Sequence, residues 1–587
     1  MLIAEKMSLI EAHGGDLKNL LVAPDRAAFF KREAQSMYLL TLNRWQLCDL
    51  ELLMTGAYSP LDGFMDEEIY TGVLENTRLP NGLLWSLPVT LDISAEALQN
   101  IQIGQNVGLC DQEGFMLAVL EVSGIWRPDK RVEAQAIYGT TSDGHPGVRD
   151  LYQRADVYVG GKVHGIELPH HYEFEAFRQT PAELRAFFSA QEWHRVVAFH
   201  TTKPIHRLHY QITLDAAQSA DAKILIHPAV GIAKPGDLHY YSRVRCYRAL
   251  MQYFPPQLAK LSLAPVAVRM AGPREALHNA IIRQNYGCSH FIVGPEHAAP
   301  PGVREGAPRF YPKYAAQELV GSYQNELSIR MVATQELCYS DRAGKFIPRK
   351  KVEPADSPQS FSEKRLHALL EANDPIPECF SFPGVLEELK KFIRPRYQRG
   401  LTLFFTGLSG AGKSTLAKIL YAKLVEHDVR PVTLLDGDIV RKHLSSELGF
   451  SKKDRDINVR RIGFVASEIT KNGGIAICAP IAPYAETRRA VRDMVEQYGS
   501  FIEIYVATPL EICESRDRKG LYARARAGLL SEFTGISGAY EVPEKAEIRI
   551  DTSELGAKDE AARILRYLEN IGMMPEAVEC GFPKSAG

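Results

Sequence analysis

The chain has 587 residues, too many for one hydrophobic core, so several domains are expected. Hydrophobic residues make up 45% and charged residues 24%, an ordinary balance for a soluble protein, and no apolar run approaches the length of a membrane span. A net charge of -2 gives no general basic field for nucleic acid, and the nine cysteines lack the paired spacing of a disulfide framework or structural zinc. The first residues carry no basic and apolar signal pattern, so a cytoplasmic location is the expectation.

Up to about residue 165, short alternating runs at 87–92, 107–110 and 115–122 are separated by turn signals and predict a β-rich stretch. From 181 to about 333 strands alternate with helices. Strands are expected at 196–199, 224–226, 265–270 and 291–293, with helices opening at His206 and covering 240–253 and 274–286. That alternation predicts a parallel, nucleotide-binding sheet. Pro348, Pro354, Pro358, Pro375 and Pro377 then break the pattern, leaving a connector with one short helix at 363–372. A second α/β unit follows after about 391, with strands near Leu401, Val432, Gly474, Phe501 and Ile548.

In that second unit the apolar run 401–406 leads into Gly407, Leu408, Ser409, Gly410, Ala411, Gly412, Lys413, Ser414 and Thr415. Strand, glycine-rich turn and helix in this order make a phosphate-binding loop. The glycines let backbone N–H groups face phosphate oxygens, Lys413 reaches the β- and γ-phosphates, and Ser414 offers a hydroxyl to Mg²⁺. The strand at 432–435 ends in Asp436, Gly437 and Asp438, and carboxylates at a strand's C-terminal end face the ligand crevice. Asp438 is placed to take a proton from a hydroxyl acceptor, and Asp436 to hold Mg²⁺ or its water. An Asp-Gly turn would also explain the glycine, though not Arg441 one turn later. Phe450, Arg455, Asn458, Ile481, Lys519 and Phe533 follow. Arginines with aromatics suit a purine-bearing anion, while the arginines alone would also fit a solvated helix face.

Taken together, residues 392–570 resemble the adenylylsulfate (APS) kinases. The resemblance implies a loop holding ATP·Mg²⁺ and Asp438 activating the 3′-hydroxyl of APS. It implies APS ligands at Arg441, Arg455, Asn458, Ile481 and Lys519, with stacking by Phe450 and Phe533. Ala482 stands where that family usually has a serine, which direct in-line transfer does not need.

In the first unit, His206 and His209 follow a strand end and are spaced to share a face of the opening helix. They could steady an α-phosphate under adenylyl transfer, or be ordinary packed histidines. Wider matches at 42–53, 56–64, 234–237, 270–275 and 285–288 resemble ATP sulfurylase over roughly 43–389. The family pattern Gln-x-Arg-Asn-Pro-x-His-x-x-His is altered, with His200 for Gln, Thr202 for Arg and Lys203 for Asn. A second pattern, Gly-Arg-Asp-His, reads Gly294, Pro295, Glu296, His297. Both guanidinium groups that the resemblance places at sulfate are missing. At roughly 1.5–3 kcal/mol per charge-assisted bond, the loss of two costs on the order of 10²- to 10⁴-fold unless Lys203 compensates.

The two resemblances imply a multidomain α/β chain: a β-rich PUA-like domain at 1–165, a Rossmann-like nucleotidyltransferase at 166–335, a small connector at 336–391 and a P-loop kinase at 392–587. The implied activity is sulfate activation, with ATP, Mg²⁺, APS, sulfate and pyrophosphate as small-molecule partners and no nucleic acid or membrane. Sulfurylase activity is expected to be impaired. The alternatives are a competent sulfurylase holding sulfate through Lys203 and His200, and a nucleotide-binding or assembly scaffold. A hexamer or dimer is expected by analogy with both families.

Overall fold

The computed structural model describes residues 8–232, 240–300, 309–352, 362–393, 395–427, 430–449, 451–517, 520–530, 532–553 and 555–574, apart from the side chains of His427 and Asp438. The chain divides into two compact units, Met1–Leu366 with Ile376–Phe392, and His367–Pro375 with Ile393–Gly587.

The first unit begins with a six-stranded sheet of β1 (Tyr38–Thr41), β2 (Gly63–Phe64), β3 (Leu91–Ile93), β4 (Asn106–Cys110), β5 (Met116–Trp126) and β6 (Val157–Gly165). Its order is β1-β4-β5-β6-β2, with β3 also paired to β6. The runs at 107–110 and 115–122 become strands. Of 87–92 only the end does, in β3.

A five-stranded sheet follows, built from β7 (Val196–Phe199), β8 (Lys223–Ile226), β9 (Ala259–Leu261), β10 (His290–Val293) and β11 (Arg330–Ala333) in the order β11-β10-β7-β8-β9. Every pairing is parallel. The central strand β7 is buried along its whole length, as parallel strands covered on both faces must be. The expected strand at 265–270 does not form, and β9 takes the edge instead. Val266, Ala267 and Val268 are buried, which explains the strand-like pattern. The backbone N–H of Arg269 donates to the Glu275 carboxylate at 2.9 Å, so a side chain replaces a neighbouring strand. The helices lie close to expectation, at Arg207–Ala220, Tyr240–Met251 and Gly272–Asn285. An antiparallel hairpin, β12 (Leu337–Ser340) with β13 (Lys345–Pro348), precedes the helix Glu363–Ala372.

In the second unit β14 (Leu401–Thr406), β15 (Val432–Asp436), β16 (Ile475–Ala479), β17 (Ser500–Val506) and β18 (Ile548–Ile550) form a parallel sheet ordered β15-β16-β14-β17-β18. Side chains alternate across a strand, so β14 feeds two cores. Leu401, Leu403 and Phe405 join Leu416, Leu420 and Ile564 on one face. Phe404 joins Ile462, Ala466 and Val491 on the other. The eight described cysteines are buried and free, packed as small apolar residues. Among the described residues no helix is long and apolar enough to cross a membrane.

Candidate active sites

In the second unit the central strand β14 fixes the start of the phosphate loop. Gly407, Gly410 and Gly412 adopt φ of 146°, 77° and 99°. A Cβ on Gly407 would lie 2.5 Å from the Val506 carbonyl oxygen, so glycine is required by both conformation and space. The loop is braced from outside. Tyr522 Oη donates to the Ser409 carbonyl at 2.8 Å, and Thr508 and Thr552 donate to the Ala411 carbonyl at 3.1 and 3.0 Å. These braces come from distant segments and have no local sequence signal. Leu408 packs against the core cluster beneath the loop. Lys413 opens the helix Lys413–His427, is buried, and its Nζ donates to the carbonyls of Gly407 and Leu408 at 2.9 and 2.7 Å. Ser414 and Thr415 are exposed in the same turn.

Around the loop stand the ends of β15 and β16. Asp436 is the last residue of β15, buried, and in register with Ala479. Just past β16 the Ile481 carbonyl accepts from Thr406 Oγ1 at 2.7 Å and from the Gly407 N–H at 3.4 Å. The structure thus gathers the loop, Asp436 and Ile481 at the C-terminal ends of the neighbouring strands β14, β15 and β16. Asp438 follows in the helix Gly437–Leu444, its side chain outside the described residues, as are Phe450 and Lys519. Arg441 donates to the carbonyls of Leu448 and Gly449 at 3.1 and 2.8 Å. Arg455 and Asn458 lie one turn apart on the helix Lys452–Lys471. Arg455 donates to Thr534 Oγ1 at 2.6 Å and to the Glu532 carbonyl. Asn458 is buried, and its Oδ1 has no partner among the described residues. Phe533 meets Tyr522 edge-on at 5.1 Å.

In the first unit, the chain runs from β7 through β8 and β9 on one side, then returns to β10 and β11 on the other. The C-terminal ends of β7 and β10 therefore form the topological switch point where ligands bind such sheets. His200 follows β7 and Gly294 follows β10, and the rings of His200 and His297 lie 5.6 Å apart. Both altered motifs thus meet at one place. His206 is the N-cap, just before the helix proper, where the chain is still extended (φ -113°, ψ 179°), and its ring lies 6.2 Å from that of His209. Its backbone N–H donates to His209 Nδ1 at 3.3 Å and its Nδ1 lies 2.9 Å from Ser381 Oγ. Burial pushes His209 down to about 4 and His297 down to about 3, so both imidazoles are neutral near pH 7. The Thr202 carbonyl accepts from Arg243 at 2.6 Å, and Lys203 Nζ pairs with Glu363 at 2.5 Å.

The sequence reading missed Arg283. It is buried, with Nη1 donating to Asn279 Oδ1 and Nη2 to His200 Nδ1, both at 2.7 Å, and burial pulls its guanidinium down to about 10. A guanidinium only donates, so the His200 proton sits on Nε2. The signal was present: Arg283 lies among Ala276, Leu277, Ala280, Ile281 and Ile282, and an arginine on a helix buried all round must be partnered.

Comparison with known proteins agrees with this division. Family models match residues 10–168 as a PUA-like domain, 175–392 as ATP-sulfurylase and 399–551 as adenylylsulphate kinase. The sulfate adenylyltransferase of Phaeosphaeria nodorum is 44% identical over 570 residues, covering 96% of this chain and 99% of its own. The chain belongs to the sulfate adenylyltransferases that carry a fused adenylylsulphate kinase domain. The sulfate adenylyltransferase of Gibberella zeae is 43% identical over 567 residues, with coverage of 96% and 99%. A solved structure described as a hexameric APS kinase from Thiobacillus denitrificans matches 97% of this chain and 100% of its own at 39% identity, with a TM-score of 0.80. The sulfurylase-first order, the PUA-like and sulfurylase domains and the C-terminal P-loop kinase all stand as the sequence resemblance implied.

Proposed function

We propose that the kinase domain of this bifunctional sulfate adenylyltransferase moves the γ-phosphoryl group of ATP to the 3′-hydroxyl of adenylylsulfate. The observation that carries this is the convergence of the phosphate loop, Asp436 and the Ile481 turn at the C-terminal ends of β14, β15 and β16. In this reading Lys413 leaves its loop carbonyls to meet the β- and γ-phosphates. Asp438 accepts the proton of the attacking hydroxyl, and Arg441, Arg455, Asn458, Ile481, Lys519, Phe450 and Phe533 hold the acceptor nucleotide. The hydroxyl of Ser414 and the carboxylate of Asp436 are hard oxygen donors of the kind that suits Mg²⁺. That ion, entering with ATP, would neutralise phosphate charge. The domain limits 1–165, 166–335, 336–391 and 392–587 and a cytoplasmic location belong to the same proposal. So does homo-oligomeric assembly, which the hexameric relative favours.

For the first unit we infer an ATP sulfurylase-type site, at His200, Thr202, Lys203, His206, His209, Gly294, Pro295 and His297, in which sulfate is held weakly. Sulfate must shed tight hydration to attack phosphorus, and only preorganised donors replace that water. Thr202 and Pro295 offer no guanidinium, and Lys203 is engaged by Glu363. The second reading, a competent sulfurylase, is favoured by the activity for which the fungal relatives are named and by Arg283 behind His200. A pyrophosphate-release assay with saturating ATP and sulfate, coupled to pyrophosphatase and run on the Lys413→Ala chain, separates them. Turnover far below the ~10 s⁻¹ typical of enzymes supports weak sulfate binding, and turnover of that order supports the competent site.

A further inference from the structure

Arg488 lies on the helix Ala485–Glu496 and is almost fully buried in the kinase domain. Two of its guanidinium nitrogens donate hydrogen bonds and the third stands in ion-pair range of a carboxylate, each at 2.9 Å. Nη1 donates to the Ala482 carbonyl, Nη2 donates to the Glu541 carbonyl, and Nε faces Glu503 Oε1. The Ala482 carbonyl lies 3.1 Å from Thr406 Oγ1, the hydroxyl that also reaches Ile481. Tyr540 Oη lies 2.9 Å from the same Thr406 oxygen. The segment that carries Glu541 returns to the turn twice, through Glu541 N–H to the Pro483 carbonyl at 2.8 Å and through Ala485 N–H to Glu541 Oε2 at 2.7 Å.

Ala482 itself has φ 45°, a left-handed conformation that a residue with a side chain adopts only when its surroundings enforce it. Its carbonyl accepts from Arg488 at 2.9 Å and lies 3.1 Å from the Thr406 hydroxyl, whose one proton is shared with the nearer Ile481 carbonyl. Thr406, one residue before the phosphate loop, ties the turn to the ATP side. Arg488 ties it to the segment 532–541, whose other end is held by Arg455 through Thr534 and Glu532. A planar guanidinium can hold two carbonyls and a carboxylate at once, which a lysine ammonium on a flexible stem cannot do with the same geometry.

We propose that Arg488 is a positioning residue for the acceptor nucleotide: with Thr406 it sets the Ile481–Ala482 turn against the phosphate loop, so the two substrates are held in register. The proposal rests on the kinase reading above. Arg488 acts through the turn and need not touch the reacting atoms.

The test is initial-rate kinetics on the full chain with ATP and adenylylsulfate, comparing Arg488→Lys, Thr406→Val, Thr406→Ser and the double variant Arg488→Lys/Thr406→Val. Arg488→Lys keeps the charge beside Glu503, which also keeps its neighbour Arg492. The expected result is a rise of about 10-fold in KM for adenylylsulfate with KM for ATP nearly unchanged, as befits loss of one buried carbonyl contact. Thr406→Val should give the same split, Thr406→Ser, which keeps the hydroxyl, should keep both KM values near wild type, and the double variant should cost less than the product of the singles. Equal rises in both KM values together with a lower unfolding temperature would mean a merely structural role and overturn the proposal. So would no change in either KM. If Arg488→Lys fails to fold, the contrast between Thr406→Val and Thr406→Ser decides. A wild-type chain that transfers no phosphoryl group to adenylylsulfate would instead remove the kinase reading, and this inference with it.

Discussion

Single side chains set the terms of both sites. In the first unit His209 and His297 are neutral near pH 7, because burial disfavours their charged form. That has a consequence for stability. The folded values of His209 and His297, about 4 and about 3, lie below the ordinary 6.5, and His227 and His278 are pushed down in the same direction. Below pH 6.5 the unfolded chain takes up protons that the folded chain refuses. Stability from these groups is therefore present above that pH and falls as pH drops towards 4. Thermal unfolding followed from pH 8 to pH 4 should show the first unit losing stability progressively below about 6.5, with a shallower slope in His209→Gln. A flat profile would contradict the buried neutral assignment. In the kinase site, Asp438→Asn should lower kcat with a smaller effect on KM if its carboxylate acts on the transition state, and near-normal turnover would remove it as the base.

At the scale of elements, both sites depend on one central strand and the loop that leaves it. A substitution at Gly407 tests this for the kinase, since φ 146° and the nearby Val506 carbonyl leave no room for a methyl group. Gly407→Ala should abolish phosphoryl transfer while leaving the first unit's unfolding transition in place. Leu403→Ala, in the buried middle of β14, should cost the second unit about 2–5 kcal/mol, read from chemical denaturation. The strands near 401, 432, 474, 501 and 548, the helix at 363–372 and the strand at 196–199 were legible because apolar period and turn residues agreed there. Residues 265–270 were misleading for a physical reason. A buried extended segment has a strand's pattern, and only its hydrogen-bond partner, Glu275, tells the two apart. The braces on the phosphate loop, Thr508 and Thr552, are illegible because each acts across a long sequence separation, whereas Arg283 is marked locally by the apolar residues around it on its helix. His206 was placed one residue too far into its helix, a cap being a backbone state that spacing alone does not reveal.

For the whole molecule, two nucleotide sites on one chain make chemical sense. Forming adenylylsulfate from ATP and sulfate is unfavourable, and consuming it at the second site draws the first reaction forward. Homo-oligomeric assembly is a proposal that rests on likeness to a protein described as hexameric. Light scattering at micromolar concentration should give a multiple of the 65.5 kDa chain, and a monomer would refute it. The central claim is phosphoryl transfer by the C-terminal unit. Its most direct test is transfer of label from γ-³²P-ATP to adenylylsulfate by the intact chain and by Lys413→Ala. The account predicts labelled 3′-phosphoadenylyl sulfate from the first and none from the second. Equal labelling by the two chains, or no labelled product from the intact one, would contradict it.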